Sequence, residues 1–393
     1  MNKTPRVSLM LLVLVLIGLN MRPLLTSVGP LLPQLRADSG MSFAVASLLT
    51  ALPMIAMGAL ALAGGWINRH ISEHISVALS LLMVMTGALL RELEPHSVVL
   101  LSSALLGGIG IGIIQVVMPT VIKRLFHRRM PQVMGLWSAA LMGGGGLGAA
   151  LTPWIAQHSE LWHRSLAWWA LPALIALVGW LAQRRSAEMP ITHPKGAAVR
   201  VVLNPRAWTL GLYFGVINGG YGSLIAWLPP YYIQLGKSAQ FSGTLLALMT
   251  VGQTAGALIL PMLAHHQDRR KLLLFTLALQ MLGFCGFILW PAQLPILGAV
   301  VCGIGLGGAF PLCLVLALDH ARHPVISGKL VAFMQGIGFI IAGLSPWLSG
   351  LLRSLSGNYW VDWTFHALCI AGLMALTVRF VPARYPQEWS VAE

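Results

Sequence analysis

Twelve apolar blocks of about 20 residues, separated by short polar joints, make up most of this chain. A bilayer core offers no water to backbone N–H and C=O groups, so an isolated segment of this length crosses it as a helix. The composition agrees, because 57% of the 393 residues are hydrophobic and only 9% are charged, whereas soluble domains carry about 25% charged residues. The chain is therefore predicted to be an all-α polytopic membrane protein with twelve transmembrane helices.

The predicted helices are named α1 to α12 in chain order. Their approximate bounds are α1 at 7–33, α2 at 42–66, α3 at 75–93, α4 at 97–122, α5 at 131–156, α6 at 165–183, α7 at 207–234, α8 at 241–263, α9 at 271–290, α10 at 293–318, α11 at 328–351 and α12 at 361–381. The joint between α6 and α7 is longer, polar and contains three prolines. We predict an N-terminal six-helix bundle at 1–183, a cytoplasmic linker at 184–206 and a C-terminal six-helix bundle at 207–393.

The net charge of +14 raises the possibility of a nucleic-acid partner, but the placement of the charges argues against it. With the N-terminus inside, nineteen of the 25 basic residues fall in inner segments and only Arg36, Arg91, Arg164, Lys237 and Arg353 fall in outer ones. The positive-inside rule accounts for that bias. We therefore predict a multi-pass protein of the inner membrane, with both termini cytoplasmic and the lipid bilayer as its partner.

The remaining basic residue, Arg22, lies inside α1, roughly 15 residues or ~20 Å of helix rise from its start. A charge at that depth costs ~3 kcal/mol on insertion scales, so it needs a polar cavity or a partner. Pro23 follows it directly and weakens the helix by freeing a carbonyl. We expect Arg22 to receive a small anion. The alternative is that Arg22 only braces the bundle by bonding to helix carbonyls.

The two halves of the chain repeat at an offset of about half its length, as in transporters built from parallel repeats. The triplet of alternating glycines that begins at Gly108 in α4 recurs from Gly303 in α10, and Asn20 in α1 has a counterpart in Asn218 of α7. This indicates two pseudo-symmetric bundles.

The architecture resembles the major facilitator superfamily, and several stretches are similar to the cyanate permease family within it. These stretches are 18–23 with 25–32, 134–138, 143–146, 217–221 and 329–338. The resemblance implies a bacterial inner-membrane carrier for cyanate or a similarly small monovalent anion. The same family contains exporters of neutral compounds of the nitroimidazole type, so both substrate classes stay open.

Polar side chains on the helices that line the central cavity in this superfamily are the candidates for binding substrate. They are Asn20, Arg22, Thr26, Gln115, Asn218, Tyr221, Gln253 and Gln335. Asn20 lies about 160° from Arg22 around an ideal helix, so it can face elsewhere. Hydrogen bonding between helices is the alternative role for each amide, at ~0.6 kcal/mol per bond.

A second group of residues is expected to serve gating or structure. It comprises Asn68, Arg69, Pro23, Gly219 and Gly220. Asn68 stands where the superfamily's loop between α2 and α3 usually carries an Asp, so it can cap a helix end without adding a charge. Gly219 and Gly220 are expected to make α7 flexible, and Pro229-Pro230 to break its outer end.

No nucleophile–base pair, cofactor motif or metal cluster appears in the predicted helices, so neither an enzyme nor a cofactor is expected. His265 and His266 are more consistent with a solvated loop than with a metal site. No acidic residue falls in the middle of a predicted helix, and only His366 is a candidate proton carrier at membrane depth. We therefore expect Arg22 to lack a carboxylate partner, which favours anion exchange over proton symport. A monomer is expected, and a membrane sensor is less consistent with joints this short.

Overall fold

The structure is a computed structural model that describes residues 4–93, 96–126, 129–159, 161–183, 201–264, 268–320 and 324–385. Its helices are Thr4–Leu19, Pro23–Thr26 and Leu32–Ser39 (together α1), Phe43–His70 (α2), Glu73–Leu89 (α3), Ser97–Leu125 (α4), Met130–Gln157 (α5), Arg164–Ala167 with Ala170–Leu181 (α6), Pro205–Gln234 (α7), Ala239–Ile259 (α8), Arg270–Leu289 (α9), Pro295–His320 (α10), Pro324–Ser356 (α11) and Trp360–Thr377 (α12). The predicted all-α architecture of twelve transmembrane helices is confirmed.

Eleven of these segments in the described part are long and apolar enough to cross a membrane. The twelfth, α7, spans 30 residues but carries more glycine and polar side chains. Most of its residues between Ala207 and Tyr232 are buried inside the protein rather than exposed at its surface. A helix enclosed by other helices need not be apolar on every face, which explains why α7 has the weaker hydropathy.

The helices pack in the same pattern in both halves. In the first half α4 packs on α2 and α3, α1 packs on α5, and α6 packs on α3. In the second half α10 packs on α8 and α9, α7 packs on α11, and α12 packs on α9. The pairs correspond helix for helix when six is added to each number, as the sequence repeat predicts.

The repeated glycines supply the close contacts behind this pattern. A methyl group on Gly108 would collide with the backbone of Pro53 in α2, and one on Gly303 would collide with the carbonyl of Met249 in α8. Small residues at such positions let helix backbones approach closely, which stabilises packing in a membrane where the hydrophobic effect does not.

Two helix pairs join the halves along their length, α2 with α11 and α5 with α8. The halves also meet at the end that carries the α1–α2 and α7–α8 turns, which is predicted to face outside and is called the outer end below. There Gly29 of α1 lies against α7, since a Cβ on Gly29 would be 2.5 Å from the carbonyl oxygen of Ile225. The bundle is therefore closed between α1 and α7 on the outer side of Arg22.

Two local expectations were wrong. Pro229-Pro230 does not break α7, which continues to Gln234. Pro229 has no N–H to bond the carbonyl of Ile225. That carbonyl faces Gly29 of α1 instead. The helix α2 runs on to His70, so Asn68 lies in its last turn rather than in a loop. Ser72, not Asn68, caps α3, by accepting from the backbone N–H of Ile75 at 3.4 Å.

Candidate substrate site

The candidate site is built around an interruption in α1. The first helical piece ends at Leu19 and the next begins at Pro23, so Arg22 occupies the cap position between them. Pro23 suits the first position of a helix because it has no N–H to leave unbonded. The interruption rests on α5, where a methyl group on Gly144 would collide with the backbone of Leu19. Glycine at this position therefore lets the broken segment sit against α5.

The guanidinium group of Arg22 crosses from the first half of the protein to the second. Its central carbon lies 4.6 Å from the ring centroid of Tyr221 in α7, a cation–π contact. Arg22 is half-buried, and its Nη1 atom is buried without a hydrogen-bond partner among the described residues. A buried charged donor without a protein partner is costly, and a hydrogen bond to a bound ligand would offset that cost.

No described carboxylate neutralises Arg22. Five of the six described acidic side chains are bonded elsewhere: Asp38 to Trp162, Glu73 to Arg124, Glu92 to Arg164, Asp268 to Arg270 and Asp319 to Arg269. The sixth, Asp362, lies 3.5 Å from His366 in α12. Within the described ranges, Arg22 thus presents a positive charge and a spare donor beside an aromatic ring. That combination suits a small anion better than a cation.

Thr26 lies next to Arg22, as predicted from their spacing of four residues. Its hydroxyl is buried and donates to the carbonyl of Arg22 at 3.2 Å. Asn20 is placed differently, because its amide donates to the carbonyls of Leu16 at 2.7 Å and Pro172 at 3.1 Å. Asn20 therefore ties α1 to α6, and the structure does not bring it together with the Arg22 guanidinium.

The other candidate amides are spread over four helices. Asn218 is buried and donates to the Phe214 carbonyl of its own helix at 2.8 Å. Gln253 is buried in α8, with its Oε1 atom unpartnered in the described part of the chain. Gln115 and Gln335 are half-buried on α4 and α11. No described contact joins these four side chains to Arg22, so their role in binding stays a prediction.

The residues expected to serve gating occupy tightly packed positions. Gly219 faces α11, where a Cβ would be 3.0 Å from the Ser345 hydroxyl. Gly220 faces Phe284 of α9, at 3.4 Å from such a Cβ. The helix is uninterrupted at both glycines, so bending of α7 stays a prediction. The side chain of Arg69 lies outside the described residues.

Arg91 was not among the predicted site residues, because the sequence places it in an outer segment. The structure buries this side chain, at 1% exposure, in the 3-10 turn after α3. Its Nη1 donates to the Leu24 carbonyl at 2.9 Å and its Nε donates to the Ser103 hydroxyl at 3.1 Å. Arg91 therefore bonds a backbone carbonyl in the interrupted part of α1. In the sequence, the only sign of this role is that Arg91 is a charged residue at the end of the apolar run of α3.

Trp137 also has a buried donor without a hydrogen-bond partner in the described part of the chain. Trp137 of α5 is buried, and its indole N–H has no partner among the described residues. It lies eight positions before Gly145, where a Cβ would be 3.2 Å from the Cβ of Arg22. The backbone carbonyl of Trp137 would lie 3.1 Å from a Cβ on Gly18, so Trp137 lies where α5 packs against the piece of α1 that ends before Arg22.

No group of three or more His, Cys, Asp or Glu side chains within the described ranges is placed to hold a metal ion. His265 and His266 lie outside the described residues. All four cysteines are free.

Two bundles of matched helices, with the half-buried cation of Arg22 between them, define a polytopic membrane transporter. The profile of the Major Facilitator Superfamily matches residues 10–343, and the chain belongs to that superfamily. It is 70% identical over 97% of its length to the cyanate transport protein CynX of Escherichia coli (strain K12), 99% of which is covered. The expected resemblance to the cyanate permease family is therefore confirmed.

A more distant relative is the 2-nitroimidazole transporter of Escherichia coli (strain K12), at 26% identity over 93% of each chain. Among solved structures, a D-xylose-proton symporter superposes with a TM-score of 0.79 at 15% identity, covering 98% of this chain and all of that one. The xylose transporter XylE from E. coli, in an inward open conformation, superposes with a TM-score of 0.76. At such identities these structures support the fold alone.

Proposed function

We propose that this protein moves cyanate, or a similarly small monovalent anion, across the bacterial inner membrane by alternating access. The observation that carries the proposal is the half-buried Arg22 guanidinium, which has a spare donor and no described carboxylate partner. The 70% identical relative is named as a cyanate transport protein, and the chemistry of the site is consistent with that substrate class.

Arg22 is proposed as the principal contact of the anion. Its guanidinium stays charged at any physiological pH and offers several N–H donors in one plane. Tyr221 contributes an aromatic face from the other half. The Thr26 hydroxyl donates a hydrogen bond to the Arg22 carbonyl. Because the cation and the ring belong to different bundles, an anion that bonds Arg22 changes an inter-bundle contact. Anion binding therefore shifts the equilibrium between the inward-facing and outward-facing conformations.

The moving parts are proposed to be the halves 1–183 and 207–393, joined by the cytoplasmic linker 184–206. They would rock about the Arg22 site as a monomer, with both termini in the cytoplasm. Asn20, Gln115, Asn218, Gln253 and Gln335 are proposed to complete or support the site. Pro23, Gly219 and Gly220 are proposed to support its gating, together with Asn68 and Arg69.

Anion exchange is the proposed mode of coupling. An empty carrier would have to move the bare charge of Arg22 through a closed state, whereas a loaded carrier would be neutral there. Desolvating an unpaired charge is expensive, so reorientation should be faster with an anion bound. The buried pair of Asp362 and His366, 3.5 Å apart, lies in α12 and has no described contact with Arg22.

The test is uptake of labelled cyanate by purified protein in liposomes. Linear monovalent anions are expected to compete, whereas neutral heterocycles are expected to have no effect. The second candidate function is export of neutral nitrogen heterocycles. The 2-nitroimidazole transporter is a relative, and the Tyr221 ring could stack on a flat ligand. Competition by 2-nitroimidazole, without competition by thiocyanate, would favour that function and overturn the first.

A further inference from the structure

Two arginines from opposite halves of the protein meet at the outer end. Arg36 lies in the last piece of α1, and its guanidinium carbon is 3.4 Å from the ring centroid of Phe43. Arg353 lies near the end of α11, and its guanidinium carbon is 4.8 Å from the same centroid. Because both distances end at one ring, the two guanidinium carbons lie no more than about 8 Å apart, a separation at which like charges repel.

Neither arginine is neutralised within the described residues. Arg36 donates from Nε to the Met41 carbonyl at 3.1 Å, and Arg353 donates from Nη2 to the Gln234 amide oxygen at 3.1 Å. The Nε atom of Arg353 is buried and has no hydrogen-bond partner among the residues that the structure describes. Neither forms an ion pair with a described carboxylate, so no carboxylate in the described part of the chain offsets the repulsion between them.

A small cavity of about 230 Å³ lies between these side chains. It is lined by Leu32, Pro33, Arg36, Phe43, Pro230, Ile233, Gln234, Arg353 and Tyr359. The Tyr359 ring also lies 4.7 Å from the Arg353 guanidinium carbon. Burial raises the pKa of the Tyr359 phenol, so its hydroxyl stays protonated and can donate. Two cations, a phenol and apolar walls without a carboxylate have the chemistry of an anion site.

We propose that Arg36 and Arg353 form a second anion-binding site at the outer end, distinct from Arg22, which takes a small monovalent anion. The choice of that class rests on the proposed function. Arg36 and Phe43 belong to the first half, and Gln234, Arg353 and Tyr359 belong to the second. An anion shared between the two arginines therefore stabilises the contact between the halves that closes this end.

The test is equilibrium binding of radiolabelled thiocyanate, a linear monovalent anion, to the purified full chain in detergent. The background is the Arg22→Gln variant, so that binding at the central site does not contribute. We expect this variant to keep saturable binding of one thiocyanate per chain. Adding Arg353→Gln, or separately Arg36→Gln, should weaken that binding at least about tenfold, because a hydrogen bond to a charged group contributes ~1.5–3 kcal/mol.

Lys237 is the matched control. It is an exposed basic residue at the same end, 5.7 Å from the Phe241 ring, and it does not line the cavity. Adding Lys237→Gln to Arg22→Gln should leave thiocyanate binding unchanged, and Arg353→Lys should retain more binding than Arg353→Gln. Size-exclusion profiles and melting temperatures identify any variant that has unfolded.

The proposal is overturned if folded Arg22→Gln protein shows no saturable thiocyanate binding. It is also overturned if the Lys237→Gln and Arg353→Gln additions weaken binding equally. Neither result depends on cyanate uptake, because the readout is binding in a variant without Arg22. Failure of the proposed transport function would instead appear as absent cyanate uptake by the unaltered protein.

Discussion

The guanidinium carbon of Arg22 lies 4.6 Å from the centre of the Tyr221 ring, which places a cation of α1 against an aromatic face of α7. These two residues are separated by about half the chain and belong to different halves of the fold. The contact therefore joins the two parts that must move relative to one another in a transporter of this architecture.

Replacing Arg22 is expected to reduce cyanate uptake. Arg22→Gln removes the charge, and Arg22→Lys keeps it but loses the planar arrangement of donors. A hydrogen bond to a charged group contributes ~1.5–3 kcal/mol, so we expect uptake at low substrate concentration to fall about 10- to 100-fold in Arg22→Gln, and less in Arg22→Lys. Initial rates in proteoliposomes, corrected for the amount of folded protein, measure this.

The control for Arg22 is Arg164→Gln. Arg164 forms an exposed ion pair with Glu92 at 3.0 Å, and its side chain is 47% exposed. Exposed pairs contribute at most about 1 kcal/mol, so this variant should transport normally. Normal uptake by both Arg22 variants would show that Arg22 serves only to brace the bundle.

Replacing Tyr221 separates the role of its ring from that of its hydroxyl. Tyr221→Phe keeps the aromatic face and is expected to change the KM for cyanate little. Tyr221→Leu removes the cation–π contact, which contributes ~0.5–2 kcal/mol, and should raise KM by a few-fold to about 30-fold. If Leu and Phe behave alike in concentration-dependent uptake, the ring does not support Arg22.

The neighbouring glycines Gly143 and Gly144 form a matched pair for testing how α5 supports the interruption in α1. A Cβ at Gly144 would collide with the Leu19 backbone, whereas one at Gly143 would meet only the end of the Leu19 side chain at 3.9 Å. Gly144→Ala should therefore lower the melting temperature in detergent. Gly143→Ala should not lower it, because Ala is favoured over Gly within a helix by roughly 0.5–1 kcal/mol. Equal melting temperatures would mean that the close contact does not stabilise the fold.

Anion exchange predicts that liposomes preloaded with unlabelled cyanate take up labelled cyanate much faster than empty ones. A proton gradient imposed on empty liposomes should have little effect. Asp362→Asn should preserve the exchange, because Asp362 is buried beside His366 and has no described contact with Arg22. Rapid uptake driven by the proton gradient alone, abolished in Asp362→Asn, would instead assign coupling to this pair.

Most of the fold follows from hydropathy, because each helix that crosses the bilayer must bond its own backbone groups and present apolar side chains to lipid. The internal repeat could be recognised because glycine spacing records where helices approach closely. Predictions failed where a residue's environment is formed by helices that are distant in sequence. The outer end of α7 looked broken at Pro229-Pro230, but packing against α1 accommodates the freed carbonyl. Arg91 was assigned to an outer segment, yet its side chain is buried and donates to the Leu24 carbonyl.

The sequence by itself determined that this protein is a bundle of twelve membrane helices in two related halves, with one arginine at membrane depth in α1. These are properties of single segments, since the energetic cost of exposing charge or backbone to lipid applies to each segment separately. Only the tertiary structure decided that Arg22 meets Tyr221, that Asn20 turns toward α6 and that Arg36 and Arg353 converge. Such contacts depend on how distant helices pack, and that is set by the shapes of both halves together.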